Sequence, residues 1–399
     1  MKPGKNCVLT INGGSSSIKF ALYEYSEPQN LLLSGQIKNI GTKNILFYFL
    51  KGDSCEKIEI EIQAKGFDIA INQLIDWLEK QIDFDAVKGI GHRVVHGMEH
   101  TKPQIITEEL LVDLKEISDY DPDHLPEEIK VIAIFKRRYP NLVQIACFDT
   151  SFHTTMPAVA KLLTIPRRYN RMGIHRFGFH GISYAYLTEQ LKQVEGNPMF
   201  RERVVLAHLG NGASLAAVRD GKSIDTSMGF SPSSGIPMGT RTGDIDPGIA
   251  WYLMKAEKLS LIQFNDLVNH QSGLLGISET NSDMQELLKI QETDCRAKEA
   301  IELFCYQARK WVGSFAAALH GIDTLVFSGG IGENSPEVRE RICGGLQFLG
   351  IELDKERNFK SEPVISADTS SVCVRVIKTN EELMIAKSVC DILNNNIKN

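Results

Sequence analysis

Cys7-Val8-Leu9-Thr10-Ile11-Asn12-Gly13-Gly14-Ser15-Ser16-Ser17-Ile18-Lys19-Phe20-Ala21-Leu22-Tyr23 decides the fold. The apolar run to Ile11 reads as a strand, Asn12–Ser17 as a turn, and Ile18–Tyr23 as a returning strand. The layout recurs at Val204–Leu209, Gly210-Asn211-Gly212 and Ala213–Val218. Two such hairpins, one in each half, point to a duplicated architecture. Between them, helical spacing over Phe67–Ile82 (Ile71, Leu74, Ile75, Leu78) and over Ile129–Phe135 alternates with strand runs at Val87–Val95 and Leu142–Phe148. A long helix is predicted over Glu299–Leu319, a strand over Thr324–Phe327, and a closing helix from about Asn380. Strands alternating with helices make the class α/β. The best domain boundary is Asp149-Thr150, where a buried strand ends in polar residues, giving domains 1–149 and 150–379.

The 399 residues are 43% hydrophobic and 24% charged, enough for two packed domains. A net charge of −6 argues against a nucleic-acid binder. No apolar run reaches membrane-spanning length and no signal-peptide core is present, so a membrane partner is not expected. Eight scattered cysteines without a CxxC pair read as reduced thiols. These features together predict a cytoplasmic protein.

Three Gly-rich turns follow strands: Asn12–Ser17, Gly210–Gly212 and Gly329–Asn334. Glycine lets backbone N–H groups approach a phosphate, and Lys19 can add a point charge. Each alone is also an ordinary hairpin turn. There is no GxxxxGK[ST], and no GxGxxG opens a helix after the first strand. His92 and His96 have the spacing of a helical zinc pair, but on a strand they stand roughly 13 Å apart and cannot share an ion. Arg93 between them suits bidentate recognition of a carboxylate or phosphate. Asp149 ends a buried strand, where ligands bind in open α/β sheets. It can orient a substrate, hold water around a magnesium ion or accept a proton. His180, set between glycines, reads as exposed in a cleft, and 239–248 is a polar loop bearing Arg241. Thr379 and Glu382 are spaced as a capping box, which leaves Glu381 to meet a hydrated magnesium.

At this point the chain resembles the acetate kinase family, within the sugar kinase, heat-shock chaperone and actin superfamily. The resemblance rests on residues 12–19, 91–97, 148–150, 178–181, 208–214, 239–247, 330–334 and 379–383, in family order across nearly the whole chain. It implies two duplicated actin-like (ribonuclease H-like) domains with the active site in the cleft between them, and a last helix, about 380–399, returning to the first domain. The implied reaction is reversible transfer of the ATP γ-phosphate to acetate. Asn12 and Glu381 would serve magnesium or manganese. Lys19, Ser15, Ser17, His208, Leu209, Gly210, Asn211, Gly212, Asp283, Met284, Gln285, Gly330, Ile331, Gly332, Glu333 and Asn334 would serve the nucleotide. Arg93 and Arg241 would hold the carboxylate and the moving phosphoryl group, Asp149 would be the essential acid, and His180 would contact the transition state. His124 would complete the acyl site, with Val95, Phe179 and Pro232 as its apolar wall. A homodimer is also implied.

Phosphoryl transfer needs positioning and charge stabilisation more than covalent chemistry, and a carboxylate acceptor is already ionised at neutral pH. Direct in-line transfer is therefore expected. The chain departs from the family pattern at Asp121–Pro126, at Gln285 and at Ser328-Gly329. Acyl length is poorly encoded, so propionate or butyrate stays open as the acid, and Gln285 keeps pyrophosphate open as the donor. A nucleotide-gated, non-enzymatic member of the superfamily is the rival from another class.

Overall fold

The computed structural model describes residues 5–14, 17–38, 40, 45–51, 54–61, 66–195 and 202–397. The chain divides into two compact units: Met1–Ser151 with Asn380–Asn399, and Phe152–Thr379.

The first unit is built on an eight-stranded sheet of order β5-β4-β3-β2-β1-β6-β8-β7. Its strands are β1 (Cys7–Gly13), β2 (Ile18–Glu24), β3 (Leu31–Lys38), β4 (Leu46–Lys51), β5 (Ser54–Glu61), β6 (Val87–Val94), β7 (Gln104–Ile105) and β8 (Gln144–Phe148). β1 to β5 form an antiparallel meander, while β1, β6 and β8 run parallel. The second unit has a five-stranded sheet of order β11-β10-β9-β12-β13. These are β9 (Arg203–Leu209), β10 (Ala213–Arg219), β11 (Lys222–Thr226), β12 (Thr324–Ser328) and β13 (Cys373–Val376). Here β9 to β11 are antiparallel and β9, β12 and β13 parallel. The run β3-β2-β1-β6-β8 therefore has the same order and the same senses as β11-β10-β9-β12-β13. The duplication read from two hairpins is a duplication of whole sheets.

The parallel strands read as continuous apolar runs because both faces are covered. In the first unit one face receives the helices Phe67–Gln81 and Leu125–Arg138, whose Ile71, Leu74, Leu78, Val131 and Phe135 join Leu9, Ile11 and Ile90 in one core. The closing helix, Glu381–Ile397, lies directly on β6. Gly91 makes that approach close: a Cβ there would stand 2.3 Å from Ile385 Cγ2 and 2.7 Å from Val389 Cγ2. No helix among the described residues is long and apolar enough to cross a membrane.

Two local readings need correction. Gly329–Asn334 is a short helix, not a turn, entered through Gly329 at φ 76°. A Cβ at Gly329 would meet the Leu209 carbonyl oxygen at 2.6 Å, so the chain turns into the helix against β9. Thr379 and Glu382 do not form a capping box. Asn380 Oδ1 accepts the Leu383 N–H at 2.9 Å and caps the last helix, while the Thr379 hydroxyl lies 2.7 Å from Ser183 Oγ. Asn is at least as good a cap as Thr, and its side chain reaches the same orphan donor one residue later.

Overpacking a tight site costs about 1–3 kcal/mol, whereas a glycine-to-alanine change in open helix costs nothing and removes unfolded-chain entropy. Gly91→Ala should therefore lower stability by about that amount. Gly313→Ala, in the helix Cys295–Leu319 with nothing within 4 Å of a new Cβ, should leave it unchanged or raise it. Urea unfolding midpoints of the two variants check this.

Candidate functional site

In the first unit the candidate residues gather at the carboxyl ends of three neighbouring strands. Asn12 ends β1, Arg93 ends β6, and Asp149 follows β8 with its N–H on the Val94 carbonyl at 3.0 Å. The register that pairs Ile11 with His92 and Arg93 with Cys147 sets the three side chains beside one another. Arg93 donates from Nη2 at 2.5 Å and from Nε at 3.0 Å to Asp149 Oδ2, and from Nη1 at 3.4 Å to Asn12 Oδ1. Asn12 Nδ2 donates in turn to Glu381 Oε2 at 2.9 Å and Glu382 Oε1 at 3.4 Å. Asp149 is 1% exposed, and its second oxygen, Oδ1, is buried with no hydrogen-bond partner.

This cluster holds more acid than base. Burial pushes the Asp149 carboxyl up, Arg93 pulls it back, and Glu381 pushes it up again. The Glu382 carboxyl is raised as well, first by burial, with Lys19 opposing and Glu381 adding to the shift. Burial works against the Arg93 charge, but Asp149, Glu381 and Glu128 outweigh it and raise its pKa. Lys19 sits across the hairpin from Asn12, exposed, with its charge acting on Glu382. Ser17 accepts the Gly14 N–H through its carbonyl at 2.8 Å; Ser15 lies outside the described residues. Among the described residues no three His, Cys, Asp or Glu side chains are placed to hold a metal by themselves. Hard oxygens at Asn12 and Glu381, an orphaned carboxylate oxygen at Asp149 and a local shortage of positive charge fit a magnesium ion that keeps water and substrate oxygens in most of its positions.

The residues of this unit expected at the acyl site, His124 and Val95, are set by the neighbouring elements. His124 precedes the helix Leu125–Arg138, its Nδ1 2.8 Å from Asp121 Oδ1. Val95 is 2% exposed and donates its N–H to Glu128 Oε2 at 3.0 Å. Glu128 is a residue the sequence reading passed over. The one sign the sequence offers is that position 128 falls on the apolar stripe of Leu125, Ile129 and Ile132. Glu382 was missed for a different reason, because capping-box spacing explained it away. His92 is sealed against Gln144 at 2.7 Å, and burial drives its pKa down to about 4.

The second unit carries a separate set. His180 enters the helix Gly181–Glu195 at φ 58°, a left-handed conformation costly for a non-glycine residue and typical of functional positions. A Cβ at Gly212 would stand 3.3 Å from His180 Nε2 and 3.9 Å from Arg241 Nη1. His180 Nε2 and Arg241 Nη1 thus both lie beside the small space that the missing Gly212 side chain leaves. Arg241 Nη1 also donates to the Pro232 carbonyl at 3.1 Å, and Phe179, 1% exposed, precedes His180. The His208 ring lies 4.4 Å from that of His180, with Nδ1 on Ser183 Oγ at 2.8 Å. Gly210 donates its N–H to the Gly212 carbonyl at 3.1 Å, and the Asn211 carbonyl accepts the Gly239 N–H at 3.0 Å. Leu209 is buried at the end of β9.

The short helix Gly329–Asn334 follows β12, beside His208 in register with Ser328. Gly330 is exposed with open space around it, Ile331 and Gly332 face inward in part, and Asn334 turns its amide back onto the Gly330 carbonyl at 2.9 Å. Glu333 Oε1 accepts from the Gly329 and Thr379 N–H groups at 2.9 and 3.1 Å, an anchoring role. Fully buried Arg339 holds the other end, donating to the Gly332 and Glu333 carbonyls at 2.8 and 3.0 Å. Asp283 caps the helix Met284–Ile290 through the Gln285 and Glu286 N–H groups; Met284 is buried and Gln285 exposed.

With this geometry in place, comparison with known proteins is informative. The sequence profile of the Acetokinase family matches residues 7–387. The chain belongs to the acetokinase family. An acetate kinase of Bacillus cytotoxicus is 40% identical over 390 residues, covering 96% of this chain and 98% of that one. An acetate kinase of Carboxydothermus hydrogenoformans is 42% identical over 400 residues, with 97% and 99% covered. Among solved structures, a propionate kinase from Francisella tularensis superposes with a TM-score of 0.88 at 38% identity, covering 96% and 98%. An acetate kinase from Porphyromonas gingivalis superposes at 0.86 and 35% identity, covering 97% and 100%. Membership of the acetokinase family makes the chain an enzyme, a phosphotransferase that acts on a carboxylate. The fold is the duplicated actin-like one.

Burial, then Asp121 and Asp149, raise the Glu128 carboxyl from 4.5 to about 8, with Arg93 and the Val95 N–H opposing. Its folded pKa exceeds its unfolded one, so its contribution is fully present below about 4.5 and is lost as pH rises through 8. Glu128→Gln keeps an acceptor for Val95 without the titration. The variant should gain melting temperature relative to the parent between pH 6 and pH 8.5; a constant difference over that range would contradict the assignment.

Proposed function

We propose that the chain transfers the γ-phosphoryl group of ATP reversibly to acetate, in one in-line step without a phosphorylated enzyme. The observation that carries this reading is the pair of donors, His180 Nε2 and Arg241 Nη1, facing the space left by Gly212. Donors fixed where negative charge gathers on equatorial phosphoryl oxygens are what this transfer requires. Arg93 is the carboxylate-side counterpart. Two of its nitrogens are spent on Asp149 Oδ2, which locks the guanidinium plane, while Nη1 has only the 3.4 Å contact to Asn12 and is the group offered to the acid.

Acetate has no proton to lose at neutral pH, so Asp149 is not needed as a general base. It orients Arg93 through Oδ2, and its unpartnered Oδ1 would be available to accept from water held by a metal ion. A bound magnesium ion, held from the protein side by Asn12 and Glu381, would supply charge neutralisation on the nucleotide phosphates. Lys19, Ser15 and Ser17 on the first unit, and His208–Gly212, Asp283–Gln285 and Gly330–Asn334 on the second, serve the nucleotide. Val95 and His124 on the first unit, and Phe179 and Pro232 on the second, serve the acyl group. Propionate is a second acid, favoured by the Francisella propionate kinase relative and by the small worth of one methylene, about 1–3 kcal/mol. The protein is read as a cytoplasmic homodimer. Trp251, Tyr252, Leu261 and Ile262, 66–81% exposed on the helices Pro247–Ala256 and Leu261–His270, support a face for the second copy.

With ATP, magnesium and acetate, hydroxylamine should trap acetyl hydroxamate. Arg93→Ala and Arg241→Ala should each lower kcat/KM by about 10²–10³-fold. ATP hydrolysis without hydroxamate would sink the reading, and a pyrophosphate arm tests the donor. A chiral γ-phosphoryl group should arrive inverted; retention would mean two displacements. Trp251→Glu should shift the sedimentation coefficient to that of a monomer.

A further inference from the structure

The His180 imidazole has a partner that its role as a phosphoryl contact does not explain. Its Nδ1 lies 2.9 Å from Ser214 Oγ, and Ser214 Oγ lies 2.5 Å from Tyr184 Oη. Ser214 and Tyr184 are both 0% exposed. Tyr184 stands one helical turn beyond His180, its N–H on the His180 carbonyl at 3.0 Å. Ser214 sits on β10 opposite His208. The two elements that carry the candidate histidines therefore meet through two buried hydroxyls.

The direction of this chain follows from counting protons. A buried phenol stays protonated here, since burial raises its pKa, with Ser214 and the His208 backbone N–H opposing. Among the described residues the side-chain acceptor within reach of the Tyr184 proton is Ser214 Oγ. A serine hydroxyl has one proton. If Tyr184 donates to Ser214, the Ser214 proton is free for His180 Nδ1. The reverse order, from Nδ1–H to Ser214 to Tyr184, would leave the phenol proton buried without an acceptor among the described residues, and acceptance by Ser214 Oγ from both neighbours would leave the serine proton without one, each at a cost of about 1–3 kcal/mol. Nδ1 is then an acceptor, and a neutral imidazole must carry its proton on Nε2. Nε2 is the nitrogen that faces the Gly212 space beside Arg241 Nη1.

We propose that Tyr184 and Ser214 are positioning residues that fix His180 in its Nε2–H tautomer, so that a neutral donor always faces the transferring phosphoryl group. This deepens, and rests on, the role given to His180 under the proposed function. The arrangement leaves the positive charge at this point to Arg241 and keeps the histidine donor present without requiring a protonated ring. It also accounts for the left-handed backbone at His180, which directs Nδ1 inward to Ser214 while Nε2 faces Gly212.

The test combines kinetics with nitrogen NMR on the full-length protein. In the parent, ¹⁵N-labelled His180, assigned by its loss in His180→Ala, should show Nδ1 as a bare, hydrogen-bonded nitrogen and Nε2 as protonated at pH 7 to 8. Ser214→Ala and Tyr184→Phe should lower kcat by roughly tenfold or more, within the range seen when a transition-state donor is disturbed, and leave the KM for ATP within about twofold. In Ser214→Ala the Nδ1 signal should move toward the average of the two tautomers. A parent spectrum with Nδ1 protonated overturns the proposal even if a variant fails to fold. Full kcat in folded Ser214→Ala overturns it as well. His180→Ala separates the two levels. If it retains kcat, the role of His180 itself falls. If it loses kcat while Ser214→Ala and Tyr184→Phe do not, only the tautomer assignment falls.

Discussion

The two-point clamp of Arg93 on Asp149 Oδ2 is the contact on which the first unit's chemistry depends. It joins the ends of two adjacent parallel strands and leaves one carboxylate oxygen buried and unpaired. Removing either partner from such a pair strands the other charge in a dry place, at a cost of about 3–5 kcal/mol. The pair is therefore not a stability device in the first instance, since an apolar pair of similar volume would fold as well. Its retention makes sense if the guanidinium must keep one orientation and the carboxyl must keep one free oxygen. Asn12, Glu381 and Glu382 extend the cluster, and burial, with Glu381 adding to it, lifts the Asp149 and Glu382 carboxyl pKa values that a bound cation would lower again.

The same sheet topology does different work in the second unit. Where β1, β6 and β8 end in an asparagine, an arginine and an acid, β9 ends in a histidine and a glycine turn and β12 runs into the glycine that opens a short helix. Equivalent strand ends are places where backbone N–H groups and side chains emerge together, so one duplicated scaffold can present a metal-friendly face in one copy and an anion-friendly face in the other. Support beneath these groups is also different. Acids in the first unit are held by one another and by Arg93. In the second, Glu333 and Arg339 brace the two ends of a six-residue helix, and the Arg339 guanidinium is 0% exposed with only neutral acceptors around it. Burial lowers its pKa to about 10, yet it stays charged at neutral pH, at the negative end of that helix dipole.

Much of this was legible in the sequence, and the misses have physical causes. Strand–turn–strand patterns around Asn12 and Gly210 revealed the duplication because period-2 apolar runs bounded by glycine have few other readings. Gly329–Asn334 was misread because glycine density signals a turn, whereas here the first glycine supplies the positive φ and the rest simply tolerate a helix. The Thr379–Glu382 spacing suggested a capping box, but a capping box is a local pattern and the winning contacts were long-range: Glu382 to Asn12, Thr379 to Ser183. Asp283 shows the converse. Its N-cap geometry is complete, so its place in a nucleotide motif cannot be separated from its structural duty by position alone.

Glu128 and the Tyr184–Ser214 pair mark where reading from residues runs out. All three are polar groups at positions whose neighbours are apolar, and a hydrophobic-period reading averages them into a core. What distinguishes them is whether their hydrogen bonds close, and that depends on tertiary partners: Val95 N–H for Glu128, His180 Nδ1 for Ser214. A polar residue is kept in such a place against a desolvation cost, so its partner identifies what is being held. In both cases the partner is itself a residue expected to touch substrate. Substitutions at such supporting positions should alter rate or pH response without altering which residues face the substrate.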